Sequence, residues 1–203
     1  MIDSEYWVRY YTATVDRPAW ETVRLAIERF AAEDGESARA RFAVDLGCGA
    51  GRDARELLRA GWRVLAIDRE PAAIAALETA TPDALQPALE TCVADLATVD
   101  IPPCDLVNAS LSLPFVTHDA FWRAWARALE ALSIGGRMAA MLFGDRDADA
   151  GDPTMTCPSP EAIRSSLSPF EMEYWVDREE DSLTALGEPH HFHRLELVAR
   201  RIK

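Results

Sequence analysis

The sequence predicts an α/β fold: a three-layer sandwich on a doubly wound, mostly parallel sheet. Three observations predict it. Arg41 to Asp68 reads as a β-turn-α-β unit, with an apolar run ended by alternating glycines, a helical stretch and a second apolar run. The rest of the chain goes on alternating short apolar runs with helical segments, the pattern of a sheet covered on both faces. Acids recur at three successive strand ends, Asp45, Asp68 and Asp95, on the side where open α/β sheets bind ligands.

Each element has its own justification. Tyr6, Trp7, Tyr10 and Tyr11 cluster ahead of the first clear helix. Asp16 is placed to cap that helix, with Arg17-Pro18 at its start. It carries Trp20, Val23, Leu25, Ile27 and Phe30, and Gly35 to Ser37 closes it. Phe42 to Leu46 is a buried strand. Gly47, Gly49 and Gly51 then let the backbone turn tightly and approach a ligand without a Cβ in the way. Ala54 to Ala60 is helical, Gly61 ends it, and Arg63 to Ile67 is the second strand with Asp68 at its carboxyl end.

Pro71 suits the first turn of a helix from Ala72 to about Thr79. Leu89 to Ala94 reads as the third strand and Cys104 to Ser110 as the fourth. A helix over Ala120 to Leu132 follows, started by His118-Asp119, and then a strand from Arg137 to Phe143. Gly144 to Pro158, rich in Asp and Gly, reads as a mobile loop, either plainly solvated or covering a site. A short helix from Ser159 to Leu167, a strand over Met172 to Val176, a turn-rich Leu183 to Pro189 and a strand from Phe192 to Arg201 complete the chain.

Composition narrows the function classes. At 203 residues the chain fits one domain, residues 1–203, with 1–37 as an N-terminal helical segment. No apolar run reaches the roughly 20 residues of a membrane helix, and no basic-then-apolar leader opens the chain, so a cytoplasmic protein is expected. The net charge of −13 repels nucleic acid and anionic membranes, so neither is expected as partner. The four cysteines show no C-x-x-C spacing and read as reduced thiols. Lys203 is the only lysine; that Arg bias, with abundant Ala, fits a GC-rich bacterial genome. No metal site is expected. His190, His191 and His193 lack a nearby Cys or second His pair, and read as packed or hydrogen-bonded histidines. The alternative for His191 and His193 is an acceptor-side base, which an ordinary pKa near 6.5 suits.

The central motif resembles one family closely. Dinucleotide oxidoreductases want G-x-G-x-x-G, but here Arg52 holds the third glycine's place and the spacing is G-x-G-x-G. Asp45-Leu46-Gly47-Cys48-Gly49-Ala50-Gly51-Arg52, followed by Asp68, resembles motifs I and II of the class I S-adenosylmethionine (SAM) dependent methyltransferases. The opening is similar to that of the small bacterial tellurite-resistance-type enzymes. An acid before the loop suits an ammonium and a sulfonium, and suits a pyrophosphate poorly.

The resemblance implies seven strands in the order 3-2-1-4-5-7-6, strand 7 antiparallel, and SAM as cofactor with S-adenosylhomocysteine as product. It implies Gly47, Cys48, Gly49, Gly51 and Arg52 around the methionine portion, Asp45 balancing its charge, and Asp68 and Arg69 at the ribose. Asp95 and Leu96 fall at motif III, where a carboxylate accepts from the adenine amino group; the alternative for Asp95 is a turn cap. Ser110, at motif IV, leads to Leu111 and Phe115 facing the transferring methyl. Tyr10 and Tyr11 are either core aromatics or a lid over the acceptor, as N-terminal segments are in small members of the family. The chain lacks the Asn/Asp-Pro-Pro-Tyr/Phe form of motif IV, which argues against N6-adenine and glutamine methylation. The expected reaction is methyl transfer to a small-molecule acceptor. The alternatives are a SAM-binding protein without catalysis, a protein methyltransferase and, further off, an NAD-dependent oxidoreductase. Neither acceptor, general base nor oligomeric state is set by the sequence.

Overall fold

The computed structural model describes residues 4–34 and 40–203. Seven strands form one sheet in the order β3-β2-β1-β4-β5-β7-β6. They are β1 (Phe42–Leu46), β2 (Arg63–Asp68), β3 (Leu89–Val93), β4 (Cys104–Ser110), β5 (Leu132–Phe143), β6 (Phe170–Leu183) and β7 (Pro189–Arg201). The first five run parallel, and β7 is antiparallel to both neighbours. Order and polarity are those expected. The edges differ: β3 is five residues long and β6 is fourteen.

Strand alternation sends successive side chains to opposite faces, and the two faces carry separate cores. Val44, Leu46, Val107 and Ala109 pack under α5 (His118–Ala131) and α6 (Pro160–Ser166), against Phe121, Trp125 and Ile163. Ala43, Val64, Ala66 and Leu106 face α2 (Glu21–Asp34), α3 (Arg52–Arg59) and α4 (Pro71–Ala80), against Val23, Phe30, Leu57 and Leu77. A buried ion pair fastens α2 to this face. Arg137 on β5 donates to Glu33 at 2.6 and 3.1 Å and to Glu173 on β6 at 2.7 and 2.8 Å, and its guanidinium lies 4.3 Å from the centre of the Phe30 ring. Burying a guanidinium is tolerable only with this full set of partners.

Several boundaries differ from the sequence reading. α2 begins at Glu21, because the chain before it is fastened to α3 and held out of helix. The Pro18 carbonyl accepts from Arg52, and the Trp20 amide donates to Asp53 Oδ1 at 2.9 Å. Asp16 therefore does not cap α2; the expected closure at Gly35 to Ser37 lies outside the described residues. β5 starts five residues early, passing through Gly135-Gly136, where Gly136 lies so close to the Asp105 carbonyl that a Cβ would stand 2.8 Å from it. The hairpin of β6 and β7 extends beyond the core-covering residues on which the expected strand ends rested. The aromatic N-terminal stretch forms a helix, α1 (Ser4–Thr14), which packs on Ala50 and Ala73 rather than on the sheet.

The 144–158 segment is pinned, not loose. Thr156 donates from its amide to the Pro114 carbonyl and from its hydroxyl to the Val116 carbonyl, both at 2.8 Å, and the Ala148 amide bonds the His191 carbonyl at 3.0 Å. No helix among the described residues is long and apolar enough to cross a membrane.

Candidate functional site

The carboxyl ends of β1, β2 and β4 open into a cleft of about 890 Å³, counting the solvent at its mouth, and α1 forms its roof. The site is easiest to follow from the floor upward.

Asp45 and Asn108 are register partners on the adjacent parallel strands β1 and β4, so their side chains share a face. The Asn108 amide donates to Asp45 Oδ1 at 2.8 Å and to Asp53 Oδ2, on the first turn of α3, at 3.0 Å. Ser110 closes the network by donating to Asn108 Oδ1 at 3.2 Å. One neutral amide thus holds two carboxylates apart. Asp45 is 2% exposed, yet its Oδ2 has no hydrogen-bond partner. Burial above all, and then the Asp53 charge, pushes its pKa up to about 8. An acid arranged like this, orphaned and short of a counter-charge, fits a cationic ligand group.

The glycine loop sits above that floor. The Gly47 and Cys48 amides both donate to the Ile67 carbonyl, at 2.7 and 2.9 Å, which bends the chain sharply between β1 and α3. Gly47 has φ +69°, and a Cβ there would collide with Ser112. Gly49 has φ +53°, and a Cβ there would stand 3.2 Å from the Tyr11 ring. Both positions face the cleft, so the loop's backbone is bare toward a ligand. The Cys48 thiol is buried, which raises its pKa well above the ordinary value and leaves it an inert wall.

Asp68, at the end of β2, is a hub. Its Oδ2 accepts from the Gly49 amide at 2.9 Å and its Oδ1 from the Glu70 amide at 2.9 Å. The Tyr11 hydroxyl of α1 reaches the same Oδ1 at 3.5 Å. Burial raises the Asp68 pKa, against the lowering effect of the two amides. Desolvation likewise drives the Tyr11 and Tyr10 phenols upward, so both stay protonated donors.

At the far wall Asp95 lies two residues beyond β3 and caps a turn, its Oδ1 accepting from the Ala97 amide at 2.8 Å. Asp95, Leu96 and Arg69 all line the cleft. Leu111, just past β4, has φ +53°, the sole positive φ outside glycine among the described residues. A non-glycine residue held there stores strain of about 1–3 kcal/mol, and such residues cluster at sites. The roof is aromatic: Trp7 meets Phe115 edge-on at 5.0 Å and stacks with Tyr11 at 5.9 Å. The Trp7 indole nitrogen and the Ser112 hydroxyl are buried without partners.

The structure brings together Asp45, Gly47, Cys48, Gly49, Arg52, Asp68, Arg69, Asp95, Leu96, Ser110, Tyr10, Tyr11, Leu111 and Phe115 along this cleft. Three candidates stand elsewhere. Gly51 (φ +79°) turns its missing Cβ toward Leu77, so its role is to let α3 close on α4. His193 is fully buried on β7, between β5 and β6 in the sheet, accepting from the Arg146 amide and bonded to Asp177 at 2.9 Å. His191 points to Asp181, at 2.8 Å, on the outer hairpin. Neither histidine lines the cleft, because β7 carries them past its end. His190 bonds Asp147 at 2.9 Å, and with Asp149 these groups lie within 4.8 Å of one another. Asp147 is already committed there to the His193 and Asp149 amides. Arg52 lines the cleft but spends its guanidinium on the Pro18 carbonyl and the Trp20 ring, 4.2 Å away.

Sequence reasoning missed Asp53 and Asn108. A polar Asn inside the apolar β4 was the available signal, since buried amides need partners.

Comparison with known proteins agrees with this geometry. Residues 43–136 match the sequence model of a methyltransferase domain. No curated protein matches the chain in sequence. Among solved structures, TehB from Haemophilus influenzae superposes with a TM-score of 0.72 at 16% identity, over 97% of this chain and 66% of that one. A TehB-like SAM-dependent methyltransferase from Corynebacterium glutamicum gives 0.65 at 20% identity, over 97% and 96%. The magnesium protoporphyrin IX methyltransferase of Synechocystis, solved with bound SAM, gives 0.65 at 15% identity, over 99% and 85%. At these identities the likeness is one of fold.

Proposed function

We propose, from the match of residues 43–136 to a methyltransferase domain and from the order of the sheet, that the chain moves a methyl group from SAM to a small-molecule acceptor. One observation carries the reading: the orphaned Oδ2 of Asp45 at the floor of a glycine-lined cleft. A buried carboxylate oxygen lacking a donor is costly, and a ligand ammonium relieves it. A pyrophosphate offers that oxygen no donor, which speaks against a dinucleotide.

The residues fit SAM from end to end. Asp45 balances the ammonium of the methionine portion, and the bare backbone from Gly47 to Ala50 lies against it. Asp68 takes the ribose hydroxyls, in exchange for the long Tyr11 contact. Asp95 has its Oδ2 left for the adenine amino group while Oδ1 caps the turn. When bound, SAM supplies an electrophilic methyl group, and S-adenosylhomocysteine is the product left behind. Ser110, Leu111 and Phe115 position the acceptor for in-line attack, and Trp7, Tyr10 and Tyr11 keep water out.

The cleft lining holds neither histidine nor lysine, and its two tyrosines are driven toward the neutral form. The acceptor therefore arrives as a competent nucleophile: a thiolate, a reduced chalcogen, a carboxylate or a readily ionised phenol. We place the protein in the cytoplasm as a single domain roofed by its N-terminal helix; its four cysteines are unpaired, as a reducing compartment keeps them.

The test is calorimetric titration with SAM and S-adenosylhomocysteine, followed by labelled-methyl transfer to a panel of thiols, chalcogen oxyanions, phenols and carboxylic acids. Binding in the micromolar range with labelled small product supports the reading. Absence of binding to folded protein overturns it. Label in a protein fraction overturns the small-molecule acceptor.

A further inference from the structure

A second hollow lies on the other side of Arg52 from the cleft. Five arginines line it, Arg17, Arg24, Arg52, Arg55 and Arg59, against two carboxylates, Asp16 and Glu56. In a chain of net charge −13 such a convergence is out of keeping with the rest of the molecule.

The arginines are incompletely neutralised. Arg52 and Arg55 spend their guanidiniums on the Pro18, Gly51 and Val15 carbonyls, which carry only partial charge. Arg59 pairs with Glu56 at 3.1 Å, and Arg24 pairs with Glu21. Among the described residues, Arg17 makes neither hydrogen bond nor ion pair through its side chain. The crowding is visible in the charge balance. Burial first lowers the Arg55 pKa and the Arg59 charge lowers it further, against Asp16; Arg52 is lowered by burial and, more weakly, by Arg17, against the raising effects of Asp53 and Tyr10. Like charges gathered around a hollow of about 670 Å³, counting its open mouth, leave a field that a small anion would relieve.

We propose that this hollow binds a small phosphate-type oxyanion, held between Arg17 on one side and Arg55 and Arg59 on the other. Guanidinium forks match the oxygens of such a group in pairs. The arginines stand on two separate pieces. Arg17 belongs to the 15–20 linker that joins the roof helix α1 to α2, while Arg55 and Arg59 belong to α3, which begins at the glycine loop. An anion bridging them adds a further tie between linker and α3, beside those through Val15, Pro18 and Trp20, and so holds α1 down over the cleft. The site does not depend on what the cleft binds.

The experiment titrates inorganic phosphate, and separately a phosphate monoester, into the full chain at constant ionic strength set with chloride. Melting temperature and binding heat are followed. The expected result is a saturable rise in melting temperature beyond that given by chloride, lost in Arg17→Gln and in the Arg17→Gln/Arg59→Gln pair, and kept in Arg123→Gln, an exposed arginine on α5. Arg17 has no partner to lose, so its variant keeps the fold. Tighter binding of the monoester assigns the site to the phosphoryl group of a larger ligand, and equal binding assigns it to free phosphate. A response equal to that of chloride, or one unchanged in Arg17→Gln, overturns the proposal. Amide exchange across residues 4–14 should slow with phosphate; unchanged exchange alongside binding overturns the link to the roof helix.

Discussion

The Tyr11 hydroxyl stands 3.5 Å from Asp68 Oδ1, so the roof helix is fastened to the acid at the end of β2. It is the longest of the three contacts Asp68 accepts, and the one a ribose hydroxyl would replace most readily. Asp68→Ala should weaken SAM binding at least tenfold, since hydrogen bonds to a charged group are worth about 1.5–3 kcal/mol. Tyr11→Phe should leave the affinity within about threefold, because it removes only the contact that SAM displaces. Calorimetry on both variants checks this, and equal losses would assign the effect to α1 rather than to the acid.

Asp45 makes binding and stability depend on pH. Its folded-state pKa of about 8 lies above the ordinary carboxylate value, so between pH 4 and pH 8 the folded protein holds more protons than the unfolded chain. The stability of the ligand-free protein should therefore fall as pH rises through that window, and Asp45→Asn should flatten the fall. A cationic ligand favours the ionised acid, so SAM binding near pH 6.5 should release a proton. Titrations in buffers of different ionisation heat read that release directly; Asp45→Asn should abolish it and weaken binding.

Gly51→Ala separates backbone strain from crowding. At φ +79° an alanine costs about 1 kcal/mol or more, and its methyl would also strike Leu77. Gly61→Ala, at φ +83° in open space, incurs the strain alone. Calorimetric unfolding should show the larger loss for Gly51→Ala, by about 1–3 kcal/mol. Adding Leu77→Ala should not recover the strain.

The roof should tighten when the cleft fills. Amide exchange across residues 4–14 should slow on adding S-adenosylhomocysteine. Trp7→Ala removes the edge-on contact with Phe115 and should cancel most of that slowing while leaving the sheet's protection unchanged.

The sequence made the frame of the site legible because the frame is local. Strand ends, the glycine loop and Asp45, Asp68 and Asp95 lie within short stretches whose patterns speak for themselves. What stayed hidden depends on pairings across the chain. Asn108 becomes the clamp on Asp45 only through the β1–β4 register, 63 residues apart, and Asp53 passed for an ordinary acid at a helix start. The histidines follow the packed, hydrogen-bonded reading and not the acceptor-side alternative: β7 carries them past the cleft's end, extending three residues beyond its expected start. The 144–158 segment has a loop's composition, yet Thr156 pins it to the Pro114 and Val116 carbonyls, contacts that composition cannot reveal.

The fourteen residues of β6 leave one row of backbone groups unpaired along the sheet's longest border, the kind of surface on which another chain can template itself. What guards it is the run Asp177-Arg178-Glu179-Glu180-Asp181, whose net negative charge repels an identical strand. Neutralising that guard by Glu180→Gln and Asp181→Asn should therefore let this molecule aggregate while its fold is still intact, with light scattering rising at an unchanged melting temperature.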